Sequence, residues 1–298
     1  MLRRVFIFLL YCLFVLGIVA VFLVLFFPRD KFLGWASSYI GKKVPGIELS
    51  MRDIKYVHPL KIRIYQLTLS DDRQRWEIPV DTVLMSVKPG FPVEHLSIIG
   101  VMSGGDLSFD LAPASKSRLE LRNLQISELL LADLKMVEQA VDRPLEGILS
   151  LQGRATVNYR KPGDLRFTGT MRIDNFSAPL KQPVLEETEV RFERVESELV
   201  YNGGVVDIAG GTARGALFDG TFSGQVWGAV PLSRSRLEVE GALAPAQALV
   251  DKHPALAEPL KSYLNRYMTD SIPFRIEGTA AEPVLKLANY EWSGPALD

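Results

Sequence analysis

The apolar positions of this chain fall into three regimes: one continuous, some at helical spacing, and most alternating. The continuous one is Val5 to Phe27, an uncharged apolar run with Arg3 and Arg4 before it and Pro28 after it. At ~1.5 Å per residue a helix of that length covers the ~30 Å hydrocarbon core of a bilayer, and every backbone group is satisfied within it. The pattern therefore predicts a membrane anchor from Val5 to Phe27. A cleaved signal peptide would have a shorter apolar core ending in a small-x-small site, whereas this run ends Leu25-Phe26-Phe27-Pro28. A lipidated cysteine wants a small neighbour before it, and Cys12 follows Tyr11. The short tail Met1 to Arg4 favours an N-in, C-out orientation, which puts the body across the membrane from the cytoplasm.

Helical spacing follows from Asp30 to Lys43, with Phe32, Leu33, Ala36, Tyr39 and Ile40 on one stripe. Trp35 and Tyr39 suit a membrane interface, and packing on the first strands suits the same stripe. From Ile47 the period becomes two. Ile47, Leu49 and Met51 alternate with polar residues, as do Leu60, Ile62 and Ile64, then Val83, Met85 and Val87, then Leu119 and Leu121. Turn signals at 70–73, 88–90 and 103–106 separate them. Such strands predict an antiparallel sheet with one apolar face. At Ser127 helical spacing returns through Leu130, Leu134, Val137 and Val141, and Pro144 stops it, so 127–144 is expected to be a helix covering that face. Strands resume over 145–287, interrupted by a helical segment at 246–269 that is broken at Pro254 and Pro259. A flexible tail is expected over 288–298. The units expected are a tail and anchor (1–28), a first β-rich half with its juxtamembrane helix (29–126), the covering helix, the second β-rich half and the tail.

The second half repeats a pattern of apolar-x-apolar-x-Gly. It reads Leu149, Leu151, Gly153; Leu165, Phe167, Gly169; Val206, Ile208, Gly210; Leu237, Val239, Gly241; and Phe274, Ile276, Gly278. A longer version is Phe218, Gly220, Phe222, Gly224, Val226, Gly228. Because strand side chains alternate, each glycine should share the face of the apolar residues before it. Two readings stand open. In one, the glycines mark bends, bulges or close helix packing in a strongly coiled sheet. In the other, they widen an apolar groove lined by Leu165, Phe167, Phe218, Gly220, Phe222, Gly224 and Val226, suited to an extended ligand such as an acyl chain. The helices near Leu130 and Leu256 discriminate: a covered face is core, an open one is a groove.

Composition removes several functions. The net charge of −1 over 298 residues gives no basic face for nucleic acid. The only cysteine, Cys12, lies in the anchor, so a body beyond it has no disulfides and no thiolate metal site. His58, His95 and His253 are scattered without metal-ligand spacing and read as solvated or loop residues. The run Glu186-Glu187-Thr188-Glu189 reads as a solvated face, and Gly210 to Gly215 lacks the spacing of a nucleotide fingerprint. No nucleophile elbow or phosphate loop is present. A protein without an active site, cofactor or metal is expected, with an enzyme whose site is dispersed over loops as the remote alternative.

Several segments then carry a likeness. The anchor ending in Phe27-Pro28-Arg29-Asp30, the strand start Val57-His58-Pro59-Leu60-Lys61-Ile62, and the restart Leu145-Glu146-Gly147 are three of them. Leu237-Glu238-Val239-Glu240-Gly241-Ala242-Leu243 before a helical segment, and Pro273-Phe274-Arg275-Ile276-Glu277-Gly278-Thr279 before Pro283, are two more. Over nearly its whole length the chain resembles the type II secretion system protein N family (GspN), and more distantly the AsmA-like envelope proteins. The resemblance implies a mainly β protein: one N-terminal transmembrane helix, then an elongated, strongly curved antiparallel sheet, an AsmA-like trough, with a few amphipathic helices packed on it. It further implies a single-pass protein of the cell inner membrane with a periplasmic body and no catalytic residues. The expected role is a non-enzymatic accessory component of the type II protein secretion system, with other envelope proteins of that system as partners. The alternative is an AsmA-like protein that binds or transfers phospholipid along an apolar β groove. Strand edges for a partner are expected around Ile47 to Met51 or Val284 to Leu287.

Overall fold

The computed structural model describes residues 47–57, 61–71, 76–87, 95–115, 117–158, 160–161, 164–184, 187–287 and 290–291, together with Gly34 and Ser38, both helical. The predicted anchor, most of the juxtamembrane helix, and the tail apart from 290–291 lie outside these residues. Among the described residues no helix is long and apolar enough to cross a membrane.

Alternation does produce strands. The first six are β1 (Ile47–Val57), β2 (Lys61–Asp71), β3 (Trp76–Val87), β4 (Leu96–Met102), β5 (Gly105–Ser115) and β6 (Arg118–Leu130). After a helical connection come β7 (Glu146–Asn158), β8 (Leu165–Val184), β9 (Glu187–Asn202), β10 (Val205–Arg214) and β11 (Phe218–Trp227). The last are β12 (Arg236–Pro245), β13 (Ile272–Thr279), β14 (Pro283–Leu287) and the two-residue β15 (Tyr290–Glu291), which pairs within the stretch expected to be a flexible tail. All belong to one open sheet in strict sequence order, every neighbour antiparallel. Two hairpins turn on two left-handed residues each, Ser103-Gly104 and Gly203-Gly204, the geometry that matches strand twist.

The alternation is not uninterrupted, and its slips bend the sheet. Apolar spacing widens from two to three at Met51/Ile54 in β1, where Arg52 faces the left-handed Gln66 of β2, and again at Val80/Val83 in β3. The same widening occurs across Asn123 and Glu128 in β6, Asn175 in β8 and Gly210 in β10, all left-handed. Each slip keeps the apolar residues on one face while kinking the strand, as bulges do. Four of these five left-handed residues are not glycine, so the expected link between glycine and bends holds at Gly210 and at Gly147, where the β7 register shifts, and not at the other slips.

The expected covering helix is largely a correction. Residues 127–130 finish β6, with Ser127 opposite Asp106 and Leu130 opposite Ile148. A 3-10 turn at Leu131–Asp133 and the short α1 (Lys135–Val141) follow. The helical stripe beginning at Leu130 competed with the ladder to β5 and β7, and the ladder prevailed because both strand neighbours were already in place. The segment near 246–269 is helical as expected: α2 (Gln247–Lys252), a 3-10 turn at Pro254–Leu256 and α3 (Ala257–Tyr267). Pro259 falls in the first turn of α3, where its missing N–H costs nothing.

Two apolar clusters anchor the sheet. The first joins Ile54, Ile64, Val80, Val83, Met102 and Leu129, with Leu134 and Leu149 packed against them. It brings β1 to β4 against β6 and β7, with α1 beside β3 and beside the turn Leu232–Arg234 between β11 and β12. The second lies under α2 and α3 and joins Leu249, Leu260 and Ile272 with Leu217, Phe218 and Tyr263.

Candidate apolar binding face

Register places the candidate residues on one face of the sheet. Ala155, Phe167, Tyr201, Val206, Val226 and Leu237 form one row across β7 to β12. The next row carries Gly169, Leu199, Ile208, Gly224 and Val239, and a further one Gly211, Phe222, Gly241 and Phe274. Leu165 lies at the start of β8 opposite Val157. Phe218 alone among the candidates packs into the cluster under α2 and α3. Gly220 pairs with the buried Ala213 and with Leu243, whose own partner is Ile272 of that cluster. The structure thus brings five of the seven residues onto one half-buried surface and sets Gly220 and Phe218 at its helical end.

Burial separates this surface from a core. Within β7 to β12 the buried hydrophobic residues are Ala155, Ala178 and Ala213. Phe167, Met171, Leu199, Phe222, Val226 and Val239 are all half-buried, although they point to the same side as Ala155 and Ala213. A large side chain stays half-buried beside a buried alanine when its flanks touch neighbours in the sheet and its top does not. The helices do not close it. Leu134, beside α1, packs on the cluster that holds Leu129 and Leu149, and α2 and α3 meet the sheet at Leu217, Phe218 and Ile272, so the residues of β8 to β11 named here lie between the two.

The glycines have a specific use. A Cβ at Gly153 would stand 2.8 Å from Cε2 of Phe167, and one at Gly169 2.6 Å from its Cζ. A Cβ at Gly211 would stand 2.6 Å from Cδ2 and Cε2 of Phe222, and one at Gly241 2.7 Å from Cε1 of Phe274. The Phe167 ring therefore lies over Gly169 of its own strand and Gly153 of the next, and the Phe222 and Phe274 rings over Gly211 and Gly241 of adjacent strands, so these notches are filled and the face is broad rather than pitted. At Gly224 a Cβ would strike the carbonyl oxygen of Glu238, and at Gly220 it would meet Leu243 Cδ2 at 3.0 Å. Gly210 departs from the expected pattern: it is the exposed left-handed residue of the β10 bulge, and Gly211 takes its place on the apolar face. The spacing of three between Ile208 and Gly211 was the signal for that shift.

The opposite face is polar and was not singled out from the sequence. Arg172, Asp174, Arg194 and Glu196 form a network on it, with Arg172 2.7 Å and Arg194 3.2 Å from Asp174. The Arg172 hydrogen bond, helped by Arg194, holds the Asp174 carboxyl below the usual range and raises the Arg172 guanidinium. Beside this network lies a concavity of about 1000 Å³ bordered by Ser150, Gln152, Thr170 and Thr212. On the apolar face the one polar intrusion in β9 is Ser197, whose buried Oγ has no hydrogen-bond partner among the described residues.

Two residues read as solvated are structural. Glu187 accepts from Lys252 Nζ at 2.7 Å and pairs with His253 Nε2 at 2.7 Å, which ties the end of α2 to the start of β9. The Lys252 hydrogen bond, then that of His253, lowers the Glu187 carboxyl. Glu189, bonded by Arg191 and by the Ser177 hydroxyl, is lowered as well. Length and helical register of α2 could not be read from the acidic run, so the pairing was invisible in the sequence. Among the described residues no three His, Cys, Asp or Glu side chains converge on a metal-sized site.

These features define an open antiparallel sheet with an apolar face left half-covered through its middle strands. Comparison of the chain with protein-family models, with curated proteins and with solved structures finds no match.

Proposed function

We propose that this protein is a non-enzymatic, membrane-anchored envelope protein that holds lipid acyl chains along its apolar face, in the manner of an AsmA-like trough. The observation that carries this reading is the half-burial of every large apolar residue named above on β7 to β12 beside buried alanines, with α2 and α3 packed around Leu249, Leu260 and Ile272. From β6 to β14 the row ending in Val239, Ile276 and Leu285 crosses eight strand spacings, on the order of 38 Å at ~4.8 Å each. That is room for an extended hydrocarbon chain, and each methylene placed on it gains at most ~0.8 kcal/mol. The flat rings of Phe167, Phe222 and Phe274 suit such a ligand, because they supply contact area without walls that would demand one shape.

The test is photocrosslinking in living cells with a light-reactive amino acid at Phe222 and, as a control, at Ser223, whose side chain points to the polar face. A phospholipid adduct at Phe222 and none at Ser223 is expected. Adducts at neither position, with only internal crosslinks at Phe222, would overturn the reading.

The second reading, an accessory component of the type II secretion envelope, is favoured by the outer edge of β1, which has no strand partner among the described residues. Such an edge suits pairing with a strand of a partner. The same experiment with the light-reactive residue at Glu48 is expected to capture a secretion-system protein if this reading holds, and to leave the chain uncrosslinked if it does not.

A further inference from the structure

The C-terminal end of α3 combines three features that have no role in carrying a ligand on the sheet. Met268 is 93% exposed and Tyr267 is 52% exposed, side by side at the tip. Met268 has φ +49, a left-handed backbone that glycine adopts freely and methionine does not. The turn is otherwise a complete Schellman cap: Thr269 N–H donates to Leu264 O at 3.1 Å and Met268 N–H donates to Asn265 O at 3.3 Å. The position after a helix that carries this cap is most often glycine. Here it carries a long, apolar, solvent-facing side chain instead, so folding is not what selects it.

The surroundings indicate the occupant. Tyr263 and Tyr267 rings lie 4.8 Å apart, and the Arg266 guanidinium stands 6.0 Å over the Tyr267 ring. Tyr263 packs on the cluster under the helix and backs Tyr267, so the exposed Tyr267 ring, the Arg266 guanidinium over it and the adjacent Met268 make the pattern of a membrane-interface anchor. Lys261, exposed nearly two turns back on the same helix, adds a second cation, and the exposed Asp270 just past the tip offsets one of the two charges. The topology agrees. In a strictly antiparallel meander the connection between β12 and β13, which holds α3, lies by strand count on the side of the sheet where β1 begins. The apolar run Val5 to Phe27 precedes that point in the sequence.

We propose that the α3 tip, Tyr267 and Met268 flanked by Lys261 and Arg266, docks on the headgroup region of a phospholipid bilayer, giving the body a second contact with the membrane. Lipid on the apolar face is not required for this contact, so the two ideas fail separately.

The full chain, with Cys12→Ala and a single cysteine introduced by Asn265→Cys, is labelled there with an environment-sensitive fluorophore. It is reconstituted in phosphatidylethanolamine–phosphatidylglycerol vesicles containing headgroup-nitroxide lipid. The emission is expected to be quenched at least twofold more than that of the same probe at Ser223→Cys. Adding Met268→Gly should remove at least half of that excess while leaving the thermal midpoint unchanged or higher, since glycine relieves the left-handed strain. Equal quenching at positions 265 and 223 would overturn the proposal. So would excess quenching that Met268→Gly leaves intact. Shielding of the probe from aqueous iodide without nitroxide quenching would place the tip against this chain or a second copy of it and overturn the proposal equally.

Discussion

Strands β1 to β4 and strands β8 to β11 are built from the same alternating pattern and reach opposite ends. In the first group Ile54 is wholly buried, and Ile64, Val80 and Val83 nearly so, because the sheet bends until β6, β7 and the segment around Leu134 meet them. In the second group Phe167, Leu199 and Phe222 present equally apolar side chains to the same side of the sheet and keep part of their surface. Alternation determines which side a residue faces. What lies over that side is decided by contacts distant in the chain, and only these distinguish a core from a surface that receives a ligand.

The contrast is sharpest in stability. Ile54→Ala removes methylenes from a site with no exposure and is expected to cost about 3 to 4 kcal/mol. Phe222→Ala removes more atoms yet should cost only about 1 to 2 kcal/mol, since its ring is half solvated before the change and leaves no sealed cavity. Chemical denaturation of the two variants measures the difference. Equal losses would mean that the middle of the sheet is closed, and the proposed ligand face would be lost with it.

A smaller effect probes the shape of that face. Gly211→Ala sets a methyl group where the Phe222 ring now lies, so the ring must lift or the strands must part, at about 1 to 3 kcal/mol. Gly203→Ala is the matched comparison: nothing stands within 4 Å, and its cost comes only from the left-handed backbone. If the flat ring matters for ligand contact, Gly211→Ala also lowers the lipid adduct captured at Phe167, while Gly203→Ala leaves it unchanged. Adduct yields that stay the same in both would detach the glycine packing from ligand binding.

How much of this was legible follows from the same contrast. Most strands, the turn at Ser103-Gly104 and the helices near Leu249 and Leu260 came from local pattern, because turn chemistry and period act over a few residues; β4, β5 and β9 were not singled out. The five half-buried face residues came from alternation, which register preserves across β8 to β11. The helix expected from Ser127 failed where the ladders to β5 and β7 outweighed a helical stripe. The phase slips at Gln66, Asn123 and Asn175 were overlooked, although apolar spacings of three, as at Leu121/Leu124 and Ile173/Phe176, record them. The Glu187 pairing with Lys252 and His253 could not be read at all, because it joins positions far apart in the chain and depends on how α2 returns to the sheet.

That pairing gives the smallest of the expected effects, at the boundary between the open face and its helical end. The folded Glu187 carboxyl lies below its unfolded value, chiefly through the Lys252 hydrogen bond. A carboxyl lowered on folding contributes stability that is full above its unfolded value and is lost as pH falls through the folded one. Being a small cluster near the surface, it is worth roughly 1 kcal/mol or less. Hydrogen exchange should therefore show the amides of α2 and α3 opening more readily as pH drops below the ordinary glutamate range, after correction for the intrinsic rate. Glu187→Gln should bring that opening to neutral pH and flatten its dependence on acid, while β1 to β4, held by apolar contact, stay protected in both proteins. If α2 and α3 keep their protection in Glu187→Gln, the apolar contacts of Leu249 and Leu260 alone fix the helices. The end of the face would then be as permanently closed as the core around Ile54.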